Sequence, residues 1–194
     1  MKRILTVFLF MTIPMVFTFG QKQYTPPDII TIPHIYLYGL DFTFTQIFGE
    51  RPINTKYLRD TLFGVFSDRF IKEAPDLFRR RYEKEITVIQ KPFVKPVSQE
   101  LVPYLDSTTM AGFIRNYPLK ETEGIGLVLL VKRMDKHFHR TDGAGVFFDI
   151  ASRKPLKIYT LNGKAGGFGL DGYWWTSIEA MYSRLSWKIL YNPY

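Results

Sequence analysis

The chain has 194 residues and carries 26 lysines and arginines against 18 aspartates and glutamates, a net charge of +8. Its 17 Phe, 12 Tyr and 3 Trp exclude a disordered or fibrous protein. It holds no cysteine, which excludes disulfides, thiolate catalysis, cysteine-ligated zinc or iron–sulfur centres and a lipidated N-terminal cysteine.

Met1, Lys2 and Arg3 precede the apolar run Ile4 to Phe19, and Pro14 interrupts it. The run is shorter than the roughly 20 residues that span a bilayer. Thr18 and Gly20 stand three and one residues before a cut between Gly20 and Gln21, so residues 1–20 read as a signal peptide. The expectation is an exported, soluble protein, periplasmic or secreted, with no stable transmembrane segment once cleaved. Loss of Lys2 and Arg3 leaves a charge of +6.

Residues 21–33 contain three prolines and read as an extended tail. From His34 to Thr45 aromatic and β-branched residues alternate on either side of Gly39, as in a strand with a bulge or close approach at the glycine. Asn54 is a suitable N-cap for a helix carrying Leu58, Leu62, Val65, Phe66 and Phe70 on one side. A second helix is expected to start at Pro75 with Leu77, Phe78 and Tyr82. Residues 85–90 read as a strand, and short helical pieces follow near 98–105 and 107–116.

Ile125 to Val131 is unbroken apolar sequence, which fits a strand covered on both faces. Asp142-Gly143 signals a turn, Gly145 to Ile150 a strand, Ser152 to Pro155 a second turn, and Leu156 to Leu161 a third strand. A glycine-rich loop then leads to a helix from about Tyr173 to Leu190, with Trp174, Ile178, Met181, Leu185 and Ile189 as its apolar stripe. Residues 34–194 thus read as one α+β domain: a mainly antiparallel sheet ending in a three-strand meander, packed by helices.

The loop, NGKAGGFGLDGY at 162–173, contains G-x-G-x-x-G at Gly167, Gly169 and Gly172. A dinucleotide site also needs an acidic residue about 20 positions on, on a following strand, and the sequence there has Asn192. A phosphate loop needs Ser or Thr after Gly-Lys, and Gly163-Lys164 is followed by Ala165. No cofactor is therefore expected. Two readings of the loop stay open. The amides of Gly166, Gly167 and Gly169 beside Lys164 could form an anion nest next to Phe168, Tyr173 and Trp175. Alternatively, the glycines only let the backbone pass close beneath those aromatic rings.

YGLDF at 38–42, FFDI at 147–150 and GKAGGFG at 163–169 with Tyr173-Trp174 resemble a family of small secreted proteins of Bacteroidetes-type bacteria. That family carries no established activity, so the resemblance implies export and a shared fold. The order of elements is also similar to small envelope domains of the curli-secretion lipoprotein type, without their lipid-attachment cysteine.

No catalytic set emerges. His137 and His139 would share a face in a strand and could chelate a metal with Asp135 or Asp142, but no third ligand is fixed by spacing; exposed histidines near a turn fit equally. Asp41 and Asp149 each interrupt an apolar strand, and a charge there needs a partner or water. If they met beside Lys164 they could do acid–base work; buried ion pairs would account for them as well. Basic residues cluster at Arg79–Arg81 and at Lys132, Arg133, Lys136 and Arg140, with Phe138 among the latter. Export disfavours nucleic acid as their partner and favours an envelope protein, polysaccharide or lipid headgroup. Two functions follow: a non-enzymatic binding module using the glycine loop and the basic hairpin, or a small hydrolase-like or metal-assisted enzyme using Asp41, Asp149 and the histidines.

Overall fold

The computed structural model describes residues 24–25, 28–31, 33–82, 85–89 and 107–191. The signal-like segment 1–20, part of the tail and the piece expected near 98–105 lie outside them; the tail expected to be extended instead turns into a short helix at Asp28–Thr31, which buries Ile29 in the core. In chain order the elements are α1 (Asp28–Thr31), β1 (His34–Asp41), β2 (Gln46–Phe48), α2 (Pro52–Tyr57), a π-helical turn (Leu58–Leu62), α3 (Phe63–Tyr82), β3 (Glu85–Val88), α4 (Ser107–Arg115), β4 (Ile125–Asp135), β5 (Arg140–Asp149), β6 (Lys154–Lys164) and α5 (Gly169–Tyr191).

The fold is α+β. Strand order is β3-β1-β4-β5-β6, with β2 beside the far end of β4. The long β4–β5 and β5–β6 ladders form the antiparallel meander. The N-terminal strands join it in parallel, β1 against β3 and β4, and β2 against β4. The helical crossover from β1 to β3 dictates the parallel pairing there, because the chain returns to the same end before re-entering the sheet.

β4 is buried on both faces, as its apolar run requires. Ile125, Leu127, Leu129 and Val131 join the larger core with α3 and α5. Val128 and Leu130 face the smaller one with Met110 and Ile114 of α4. Trp174, Ile178, Met181 and Leu185 of the α5 stripe are buried in the larger core; the Ile189 side chain lies outside the described residues.

Three further local expectations are corrected. The helix after β2 begins at Pro52, a first-turn residue that has no N–H to lose, and Asn54 turns its amide to Glu50 instead of capping. Pro75 does not start a second helix but lies inside α3. Burial of Phe70 and Phe78 on either side of it, about 1.5–3 kcal/mol each, offsets an interior-proline cost of about 3 kcal/mol. Asp142 and Gly143 lie inside β5. The hairpin turn is Lys136–His139, where the Asp135 carboxylate accepts the amides of His137 at 2.9 Å and Phe138 at 3.3 Å. The β5–β6 turn repeats the device. Asp149 accepts the Ser152 amide at 2.6 Å, and in each turn the residue four after the aspartate, His139 or Arg153, has positive φ. Among the described residues no helix is long and apolar enough to cross a membrane.

Candidate functional site

The far end of β4 gathers three stretches of sequence. β2 pairs there, Phe48 opposite Asp135. The hairpin turn follows, and β6 ends with Lys164 opposite Arg140. The Phe48 carbonyl accepts the Lys136 amide at 3.0 Å, and the His139 carbonyl accepts the Ala165 amide at 2.7 Å. The glycine loop is therefore stitched directly to the hairpin turn.

Glu50 is the hub beneath this end. Its carboxylate, with no side-chain exposure, accepts from Asn54 Nδ2 at 2.9 Å, Lys136 Nζ at 3.0 Å and Trp174 Nε1 at 3.3 Å. It thus ties α2, the turn and α5 together. Burial pushes its carboxyl up, but the hydrogen bonds from Asn54 and Lys136 and the Lys136 charge outweigh this and hold it below its ordinary value. Asp135 is likewise lowered: burial raises it, but Arg133 and the turn amides more than compensate. On the opposite face Tyr38 Oη donates to Glu121 at 2.7 Å, and Glu121 is held low despite its burial. Carboxylates with depressed folded-state values bind protons more readily when unfolded, so their contribution is complete above the unfolded values and lost as pH falls through the folded ones. Stability should therefore be level down to about pH 4.5 and then fall, with Glu50 and Glu121 starting from ordinary values of 4.5 and Asp135 from 3.8. Urea titrations at pH 7, 5, 4 and 3 check this, and Glu50→Gln should flatten the acid limb.

Above the hub the surface is aromatic and cationic. Phe48, Phe138 and Phe168 are 37%, 67% and 101% exposed. The Arg133 guanidinium lies 4.6 Å from the Phe48 ring and 5.9 Å from Phe138, and Arg140 lies 5.9 Å from Phe138. Three of the cations are matched by carboxylates: Arg133 by Asp135, Lys136 by Glu50, and Arg140 by Asp142. Lys164 is exposed and has no such partner among the described residues.

The glycine loop itself is spoken for. The Gly166 amide donates to the Tyr173 carbonyl at 3.2 Å and to Thr176 Oγ1 at 3.0 Å, so it does not face an anion. Gly167 and Gly169 have φ of +104° and +70° and turn the chain into α5. Tyr173 Oη lies 2.7 Å from His139 Nδ1, fastening the loop to the turn. Trp175 is corrected from a surface residue to a core one. It is 2% exposed, against Phe66 and Tyr182, with the Arg69 guanidinium 4.4 Å from its ring; the helical repeat points it at α3 rather than at the loop.

Asp41, Asp149 and Lys164 do not meet. Across the ladders they align with Leu130, Ile125 and Asp135 of β4, levels roughly 16 Å apart along the strand. Asp41 accepts the Thr43 amide at 2.8 Å and the Tyr117 hydroxyl at 2.6 Å. Asp149 accepts the Ser152 and Tyr24 amides. Both are buried turn-formers at strand ends, as is Asp135. His137 and His139 lie in the turn rather than on a strand face. Among the described residues no cluster of three or more His, Asp or Glu could hold a metal ion. In the other basic cluster Arg79 pairs with Asp76 at 2.9 Å. A groove of about 390 Å³ between α3 and α5, lined by Lys72, Asp76, Arg80, Glu179 and Tyr182, contains none of the expected site residues. Glu50 and Phe48 escaped sequence reasoning, because a lone carboxylate before Arg-Pro carries no motif and Phe48 resembles any strand residue.

No model of a known protein family matches the chain, and no curated protein matches it.

Proposed function

We propose that this is an exported, non-enzymatic binding module whose contact surface is the hairpin–loop end of the sheet. One observation carries the reading: Phe48 and Phe138 stand exposed around the Arg133 guanidinium, with Phe168 exposed in the loop stitched to the same turn, on a base tied together by Glu50. Exposed aromatic rings with arginine on a preformed support are the composition of a protein-binding hot spot. Pairing of Arg133, Lys136 and Arg140 with carboxylates favours an envelope protein over a polysaccharide or lipid headgroup, which would draw on unneutralised charge. The employment of Asp41 and Asp149 in turns leaves the hydrolase-like alternative without its acid–base pair. Export rests on the signal-like N-terminus and on the resemblance to small secreted proteins.

The test is a crosslinking pull-down from the protein's own cell envelope, read by mass spectrometry. The Phe138→Ala, Phe168→Ala double variant should lose the captured partner by about 30-fold, two hot-spot side chains having gone, with its melting temperature unchanged. Equal capture by the variant and the unaltered protein would mean that this end is not the contact surface.

A further inference from the structure

We propose that the outer edge of β6 is a second binding site, which takes an extended acidic segment of a partner protein as an added strand. This goes beyond the hairpin surface and would stand if that surface proved inert. β6 closes the strand order, and among the described residues no strand pairs with it on the side away from β5. Soluble proteins usually blunt such an edge with proline, a bulge or a cover. Here Pro155 and the register shift both fall at its beginning, opposite Phe147 and Phe148. From Lys157 to Lys164 the pairing with β5 runs without interruption.

In that run alternate residues direct both N–H and C=O away from β5, so roughly four residues present about eight backbone groups to an incoming strand. Ile158, Tyr159 and Thr160 favour extended backbone. Tyr159, Leu161 and Gly163 are buried towards α5, whereas Thr160, Asn162 and Lys164 are exposed on the other face.

Charge identifies the occupant. β6 contains Lys154, Lys157 and Lys164 and no acidic residue, and Arg184 of α5 reaches the Asn162 side chain at the same edge. A second copy of the chain is a poor occupant. Its own β6 would bring Lys157 and Lys164 again, and no carboxylate, to the shared edge, so the charges repel and none is neutralised. An acidic strand turns the same lysines into attraction. Lys157 and Lys164 are seven residues apart, about 23 Å along the strand, and fall on opposite faces. The segment recognised therefore carries carboxylates about seven positions apart, with β-forming residues between.

The test uses the full chain and two synthetic ten-residue peptides of alternating Thr and Val, one with Asp at two positions seven apart and one with Lys there. Amide hydrogen exchange is followed by NMR. The acidic peptide should slow exchange of outward amides between Lys157 and Lys164, and the lysine peptide should not. In the Lys157→Glu, Lys164→Glu variant the preference should reverse, each affinity shifting by about tenfold or more. The Phe138→Ala, Phe168→Ala variant should retain full protection by the acidic peptide. The proposal is overturned if the acidic peptide leaves exchange in β6 unchanged, if both peptides protect it equally, or if protection disappears in the phenylalanine variant. The comparison of peptides on the unaltered chain decides the matter without any variant having to fold.

Discussion

Gly163→Ala lowers the melting temperature by roughly 6–12 °C, the equivalent of about 3 kcal/mol in a chain of this size, whereas Gly166→Ala leaves it in place. A Cβ on Gly163 would lie 1.8 Å from the Ser177 carbonyl oxygen and 2.7 Å from its carbon. Those are backbone atoms of α5 and have no rotamer to retreat into. Gly163 pairs with Thr141, whose hydroxyl lies 2.6 Å from Ser177 Oγ, so the helix rests on the sheet at this point. To admit a methyl group α5 has to lift, breaking that hydrogen bond and unseating Trp174 and Ile178 from the core. At Gly166 a Cβ meets nothing within 4 Å, and its amide bonds survive the substitution. Thermal melts of the two variants side by side check this. Equal melting temperatures would show that β6 and α5 can part without cost.

Glu50→Ala loses about 3 kcal/mol, because a buried acceptor with three donors disappears at once. The Trp174 ring is fully buried, so its indole N–H is left with nothing to donate to. Lys136, less than half exposed, can turn to water and loses less. Glu50→Gln keeps an oxygen for the indole and gives up the charge, so about half the loss is expected. Urea unfolding of Glu50→Ala, Trp174→Phe and the double variant provides the cycle: the double should lose less than the sum of the singles. Additive losses would mean that the two side chains are not coupled.

The parts of this fold legible in the sequence are those where one local pattern dominates. Ile125 to Val131 has no polar residue to place on a wet face, so burial of β4 on both sides follows from composition. The α5 stripe is as plain. Turn positions were harder to read. Gly143 looked like a turn glycine, but a Cβ there would lie 2.0 Å from the Leu130 carbonyl oxygen, so its lack of a side chain serves packing; the turn belongs to the Asp135 carboxylate. Asp41 and Asp149 stand out as charges in apolar strands, yet what they bind is a nearby turn amide each, with the Tyr117 hydroxyl and the distant Tyr24 amide, which calls for no chemistry. Trp175 looked available because Trp174 beside it satisfied the helical stripe, and only the position of α3 shows that both rings are needed inside. The parallel insertion of β1 is a long-range outcome and leaves no mark in its own residues.

That insertion has a consequence for how the molecule assembles as it is made. β1 waits for Glu85 on one side and Gly126 on the other, and the buried face of α3 waits for Trp175 and Tyr182. A polypeptide emerging N-terminus first therefore has no central strand to build on until most of it has been synthesised. β4, β5, β6 and α5 follow one another in the chain and make short-range contacts, so they form early and the older half docks onto them. Pulse-labelled refolding should find amides of the meander protected before those of β1. Until that docking the first half lacks the β4 edge and the α5 face that its buried residues need, so the last stretch of the chain to be made decides when the whole molecule closes.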